Sequence, residues 1–318
     1  MNAKADSRRG PLWFGEFEVG PTAVVYRKTG ARVPFSRSLA ADLQSWLRYF
    51  FAVQKEAART APAFTMACAP DRGRPWYLIW PVMRLAGGRL APIAQADVLM
   101  HFEDATWSDN APPATRRTDA RLINFNCTDV SKSRIAAAFE AAFGYPLALE
   151  PTRHTGPAVE KSELNGAHDG RTIECPAAPR PGHVYQRLID NRSQKRDARG
   201  RELVEDFRCP TVGGKPICVF IKRRPIDARF GNDNSEVELA LPEQLFSVDE
   251  LSRIGDFARR LGLDWGGVDV LRDKGEGRLY IVDANKTDMG PPIALPLADK
   301  LAATRMLARA FRAYVKGE

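Results

Sequence analysis

The chain has 318 residues, 44% apolar and 27% charged, which is enough to bury a sizeable core and fill two or three domains and excludes a disordered protein. No run approaches the roughly 20 apolar residues of a membrane helix, since the most apolar early segment, 46–53, is interrupted by Arg48 and followed by Lys55 and Glu56. A net charge of +8 suits nucleic acid or, equally, nucleotide phosphates and an anionic substrate, but the densest basic run, 192–201, contains Gly200 and no interleaved aromatic, so it reads as a solvated loop rather than a nucleic-acid stripe.

In chain order, the basic opening segment MNAKADSRRG is not followed by an apolar signal core, and five singly spaced cysteines suit reduced thiols, so a cytoplasmic location is expected. Strands are expected at 13–19 and 23–27. An amphipathic helix follows at 38–58, where Leu43, Trp46, Leu47, Phe50 and Phe51 recur at helical spacing and are expected to pack into the core. Short apolar runs at 76–81, 97–103 and 121–126 read as buried strands of a parallel α/β layer. Thr128 or Asp129 caps a helix over 131–143 that stops at Gly144. A strand and glycine-bearing loop (158–172), a strand and variable loop (184–200), and a long β-rich stretch through 202–207 and 217–223 come next, turning at Gly213-Gly214. A helix over 248–261, capped by Ser247 and stopped by Gly262, leads to strands at 268–272 and 279–284, and an amphipathic helix over 297–315 ends the pattern.

Chemistry concentrates in three places. Asp269, Asp283 and Asn285 fall near corresponding ends of the expected hairpin 268–284, and alternation puts Asp283 and Asn285 on one face. Their flanks are apolar, so the oxygens sit at the edge of a core and need a cation or a hydrogen-bonding partner. Two carboxylates and an amide oxygen suit magnesium; a strand ending in an Asx turn is the competing reading. Lys161 ends an apolar strand before a loop holding Asn165, Gly166, His168 and Gly170, a pattern that can bring an ammonium and backbone amides to phosphate, or that can be a surface lysine before an ordinary turn. The segment VYQRLID places Gln186 between apolar flanks on a strand whose edge can meet an adenine ring with Leu188 against its face, or that is simply a strand.

In their order and spacing these pieces resemble the ATP-grasp superfamily over about residues 120–293, nearest the ribosomal-protein glutamate ligase branch. The resemblance implies an N-terminal parallel α/β domain followed by a two-subdomain ATP-grasp fold, α/β and α+β in class. The implied divisions are an extension with a helix (1–60), the α/β domain (61–128), and two ATP-grasp subdomains (129–183 and 184–318). It implies Lys132, Lys161, Gly166 and Gly170 on phosphates, with 162–170 closing as a lid, and Gln186, Arg187, Leu188, Ile189 and Asp190 as the adenine hinge. Asp206 and Arg208 match its Asp-x-Arg. Arg223, Arg224, Arg229, Phe230, Asn232 and Asn234 match an arginine-rich strand end and asparagine loop. Magnesium, or manganese in its place, falls to Asp269, Asp283 and Asn285, and the catalytic set is Arg208, Arg224 and Lys161.

The implied activity is an ADP-forming ligase joining a carboxylate to an amine, or to a thiol, through an acyl phosphate. Two features depart from the family pattern: Asp283 stands in place of the usual glutamate, and Lys286 in place of a small residue, which reshapes the acceptor side. Three rivals remain at this stage: a kinase acting on the hydroxyl of a small molecule or sugar, a non-catalytic nucleotide-binding scaffold, and nucleic-acid binding on the +8 charge, which lacks interleaved aromatics; the first 60 residues are expected to form an accessory element or an oligomer contact. A scaffold needs no cation cluster, which argues against it.

Overall fold

The computed structural model describes residues 13–27, 31–113, 119–167, 169–231 and 234–318; His168 and Asn232, singled out above, lie outside them. Strands β1 (Phe17–Val19), β2 (Ala23–Tyr26) and β3 (Ala31–Pro34) form an antiparallel meander. Helix α1 (Arg37–Ala57) begins at Ser36, whose side chain accepts from the Leu39 amide at 3.0 Å and so satisfies a helix-end donor. Its buried face differs from the one expected. Tyr49, Val53 and Ala57 turn inward, with the Tyr49 hydroxyl 2.7 Å from that of Thr304, whereas Leu43 is 53% exposed and Phe51 64%. Phe50 stacks on both Trp46 and Trp80, which makes the aromatic stripe a flank of the helix instead of its core face.

The chain continues through β4 (Phe64–Pro70), α2 (Ile79–Leu85), β5 (Gly88–Leu90), β6 (Val98–Phe102) and β7 (Arg121–Ile123), whose strands build a parallel sheet in the order β5-β4-β6-β7. The expected parallel layer is present, yet residues 76–81 are not one of its strands: the chain turns there and enters α2. A run that is apolar on every side suits a buried helix as well as a buried strand. Ile79, Pro81, Val82 and Met83 are all buried, and Pro81 lies in the first turn, where a helix has no use for its missing amide.

Helix α3 (Lys132–Phe143) is capped by Ser131, which accepts from the Arg134 amide at 3.3 Å, rather than by Thr128 or Asp129. Asp129 supports the cap indirectly, accepting from the Ser131 amide at 2.8 Å. Gly144 ends the helix at φ +79°, a left-handed conformation that glycine adopts without strain. Strands β8 (Gly156–Ser162), β9 (Arg171–Cys175) and β10 (His183–Arg187) form an antiparallel sheet ordered β10-β8-β9.

Next come β11 (Arg192–Arg196), β12 (Glu202–Val212), β13 (Lys215–Pro216), β14 (Val219–Pro225), β15 (Glu236–Ala240), α4 (Val248–Leu261), β16 (Trp265–Arg272), β17 (Leu279–Asn285) and α5 (Leu297–Lys316). Seven of these strands make one antiparallel sheet with the path β15-β14-β12-β16-β17. The β12–β13 turn is at Gly213-Gly214, as expected, and α4 carries the Ser247 cap with Glu250 closing a capping box.

Two apolar clusters hold these layers in place. One packs α3 and α4, through Phe139, Phe143, Phe257 and Leu261, on Val268, Tyr280 and Ile281 of the large sheet. The other joins the parallel sheet, α2 and α5 to the same large sheet through Phe102, Val212, Phe220, Trp265 and Phe311. Asn124 latches the two sheets: its backbone is left-handed at φ 62°, its side-chain oxygen accepts from the Asp264 and Trp265 amides at 2.9 Å each, and its amide donates to the Trp265 carbonyl at 2.8 Å. The parallel sheet and the large sheet therefore hold fixed positions around β16 and β17.

Candidate active site

The β16–β17 hairpin is the centre of the site. Asp269 lies directly across from Asp283 and Gly267 across from Asn285, with an irregularity in register just after Asp269. Val268, Val270, Ile281 and Ala284 beside them are fully buried, so both carboxylates rise from the edge of a core, where an unpaired charge is costly. Each is paired. Asp269 accepts from Arg208 Nη1 at 2.8 Å and from Lys222 Nζ at 3.4 Å. Burial works to lift its pKa, but Arg208 and Lys222 outweigh burial and hold it well below the usual carboxylate range. Asp283 accepts from Lys132 Nζ at 2.6 Å.

Two lysines reach this hairpin from separate elements. Lys132 is the first residue of α3 and only 5% exposed, and it also donates to Asn165 Oδ1 at 3.3 Å. A cation at a helix N-terminus opposes the helix dipole, and the Asp283 carboxylate offsets that cost. Lys161, near the end of β8, donates to the Val282 carbonyl at 3.0 Å. Burial pushes the pKa of its ammonium down to about 8, with Asp283 pulling the other way and Lys132 adding to the drop.

The segment after β8 lies across the start of α3. Glu163 accepts from the Ser133 amide at 3.0 Å and from its hydroxyl, and the Asn165 amide donates to Thr106 Oγ at 2.9 Å, beyond the end of β6. Gly166 is left-handed at φ +71°, and Gly170 abuts the Phe230 ring.

Gln186 is 2% exposed and its side-chain nitrogen makes no hydrogen bond. It pairs with Val159 across the strands, so alternation puts it on the same sheet face as Lys161. The neighbouring side chains point elsewhere. Arg187 meets Glu276 at 3.0 Å and the Tyr280 ring at 5.8 Å, and Asp190 accepts from Arg192 Nε at 2.8 Å. Leu188 is half-buried and Ile189 buried, with the Ile189 carbonyl accepting from Arg229 at 2.8 Å.

On the other side of Asp269 stands a basic strand. Arg224 pairs with Asp206 and donates to the Gly231 carbonyl at 3.0 Å, while its Nε has no partner. Arg208 bridges two carboxylates, since beyond Asp269 it gives Nη2 to Asp288 Oδ1 at 2.6 Å and Nε to the same oxygen at 3.2 Å. Burial acts to lower its pKa, but Asp269 and Asp288 raise it on balance. Gly267 has a steric reason to lack a side chain: a Cβ there would lie 2.3 Å from Asp288 Oδ2 and 2.7 Å from Arg208 Nε. Asp288, buried to 4% and with Oδ2 unpartnered, and Lys222 were not singled out from the sequence. Lys222 was the more readable, because it alternates with Arg224 onto one face of β14.

Solved structures similar to the chain include the following three. ATP-grasp ligase PsnB complexed with a minimal precursor shares 14% identity, with 80% of this chain and 99% of that one covered and a TM-score of 0.48. A RimK domain ATP-grasp protein from Sphaerobacter thermophilus shares 13%, with 80% and 100% covered and a TM-score of 0.46. D-alanine–D-alanine ligase from Bacillus anthracis shares 11%, with 81% and 98% covered and a TM-score of 0.46. The chain is similar to ATP-grasp ligases. No protein-family model and no curated protein matches it.

For a metal, the donor set is the relevant observation. Among the described residues no three His, Cys, Asp or Glu side chains group into a cage, but the hard oxygens of the facing Asp269 and Asp283 fit magnesium. That ion takes one or two protein carboxylates and completes its shell with water and phosphate. The Asn285 oxygen, implied above as a third ligand, accepts here from the Thr287 amide at 2.8 Å and hydroxyl at 3.1 Å.

Proposed function

We propose that the chain is an ATP- and magnesium-dependent ligase that joins a carboxylate to an amine through an acyl phosphate and releases ADP. The observation that carries this reading is the convergence of Lys132 and Lys161, from separate elements, on a hairpin bearing two facing carboxylates, with a basic strand alongside. A buried cluster of this composition suits a polyphosphate bound with a divalent cation better than it suits an apolar ligand.

In this reading Lys132 and Lys161 hold phosphate oxygens, and the 162–170 segment closes over them to exclude the water that would hydrolyse an acyl phosphate. Gln186 supplies its unsatisfied amide, with the 187–190 backbone, to the adenine edge. Asp269, Asp283 and Asn285 hold magnesium, which when bound neutralises charge on the transferring phosphoryl group. Arg208 and Arg224 orient the acid, whose carboxylate oxygen attacks the γ-phosphorus as ADP leaves; planar guanidinium forks suit both the carboxylate and the phosphate it becomes. The amine then attacks the acyl carbon and inorganic phosphate departs. No side chain serves as covalent nucleophile. A soluble cytoplasmic enzyme fits this chemistry; among the described residues no helix is long and apolar enough to cross a membrane.

The test is to incubate the purified chain with ATP, magnesium and pools of carboxylic acids and amines, and to weigh the nucleotide products. ADP formed only when both pools are present supports the ligase, and its loss in Asp283→Ala and Lys161→Ala supports the residue assignment. AMP as the product, or turnover unchanged in both variants, contradicts it.

A further inference from the structure

The parallel sheet points the carboxyl end of β6 at the β16–β17 hairpin, and the segment just beyond β6 carries a group of polar side chains to which no role has yet been given. Thr287 ties this segment to the hairpin: its hydroxyl lies 3.3 Å from Asp104 Oδ1 and 3.1 Å from Asn285 Oδ1. On the near side Thr106 receives the Asn165 amide from the loop after β8, so residues 104–106 form a wall beside the same hairpin. Within this wall His101 is 3% exposed, and neither of its ring nitrogens makes a hydrogen bond. Its Nε2 lies 3.7 Å from Glu103 Oε2, too far for a hydrogen bond. A buried imidazole without a hydrogen bond is costly in a folded core and marks a place where a polar ligand completes the bonding.

The charge here is the reverse of that across the hairpin. Where β12 and β14 present Arg208, Lys222 and Arg224, this wall presents Glu103 and Asp104, the first half-buried and the second exposed. Among the described residues the cation beside them is Lys286, which is 1% exposed and donates to Ser108 Oγ at 2.6 Å and to the Cys127 carbonyl at 3.5 Å. Its charge acts on Glu103 and Asp104 through space, but its hydrogen bonds go to Ser108 and Cys127. Carboxylates that only accept hydrogen bonds, beside an imidazole lacking a hydrogen bond, select a ligand rich in N–H donors and positive in charge.

We propose, on the reading of the site given above, that Glu103 and Asp104, backed by His101, bind an ammonium group of the acceptor, and that the acceptor therefore carries a cationic nitrogen in addition to the neutral amine that attacks the acyl carbon. The two sides of the site then sort the substrates by charge: the acid goes to the arginine side and the cationic group of the acceptor to the carboxylate side.

Isothermal titration of the full chain with propane-1,3-diamine, alone and with magnesium and a non-hydrolysable ATP analogue present, tests the assignment, with propane-1,3-diol as the uncharged control. The parent chain binds the diamine and not the diol, and Glu103→Gln with Asp104→Asn weakens the diamine by about tenfold or more, while the affinity for the ATP analogue stays within twofold. Should the double variant melt below the parent, Asp104→Asn alone, at an exposed side chain, provides the comparison and is expected to weaken the diamine severalfold. Diol binding as tight as diamine binding, no diamine binding to the parent, or equal diamine affinity in the variants overturns the proposal. Failure of the parent to bind the ATP analogue counts against the ligase reading instead, and the titration without nucleotide still decides the ammonium site.

Discussion

Gly267 shows how tightly single residues are fitted around the hairpin. Any side chain there collides with Asp288 and Arg208, so Gly267→Ala forces their bridge apart. Overpacking of this kind costs about 1–3 kcal/mol, and the variant is expected to melt at lower temperature and to lose most ADP release; a parent-like melt with parent-like turnover would show that the bridge yields freely. Lys161 predicts a pH response. In the folded chain without nucleotide its ammonium loses the proton as pH rises through about 8, whereas in the unfolded chain it keeps it to 10.5. The burial penalty is thus fully present below pH 8 and relieved between pH 8 and 10.5, so stability gains there as pH rises. Phosphate binding needs the cation, so ATP affinity measured by calorimetry falls above pH 8 in the parent and stays level in Lys161→Arg. An affinity equally level in the parent would remove Lys161 from the phosphate site. Asp269, Asp283 and Lys161 could be picked out in the sequence because each ends or interrupts an apolar run. Asp288 could not, because its partner, Arg208, is brought to it by the pairing of distant strands.

At the scale of elements, legibility follows how local the determining interaction is. The span and both ends of α4 can be read directly, since Ser247, Glu250 and Gly262 close it by contacts within a turn. Ser247→Ala removes one arm of that capping box and is expected to cost about 1 kcal/mol, seen as an earlier midpoint in urea unfolding; an unmoved midpoint would mean that packing alone sets the helix end. The α2 segment could not be read this way. An apolar run of its length lacks a polar face to reveal a period, and only the neighbouring sheet and α5 decide that it coils. For α1 the helix itself was legible but its inward face was not, because that face is chosen by Thr304 and the rest of α5, which lie far along the chain.

For the whole molecule, the site depends on the parallel sheet and the large antiparallel sheet being held together by a shared core. Asn124 is the most economical point at which to disturb this. Asn124→Ala leaves the half-buried Asp264 amide and the buried Trp265 amide without acceptors and places an alanine in a left-handed backbone conformation. The expected cost is about 3 kcal/mol, measured by chemical denaturation, with a matching fall in turnover, and a loss below about 0.5 kcal/mol would mean that the sheets are held by apolar packing alone. The parallel order of the N-terminal sheet and the antiparallel run of the C-terminal one were legible from chain patterning. Their meeting at one hairpin was not, since it rests on contacts such as that between Lys132 and Asp283, which no local pattern encodes. The most direct test of the account is to trap the activated acid. The chain is incubated with ATP, magnesium, a pool of carboxylic acids and hydroxylamine, and the products are analysed by mass. The account predicts ADP together with a hydroxamate, both lost in Asp283→Asn; ADP with a stable phosphate ester and no hydroxamate would contradict it.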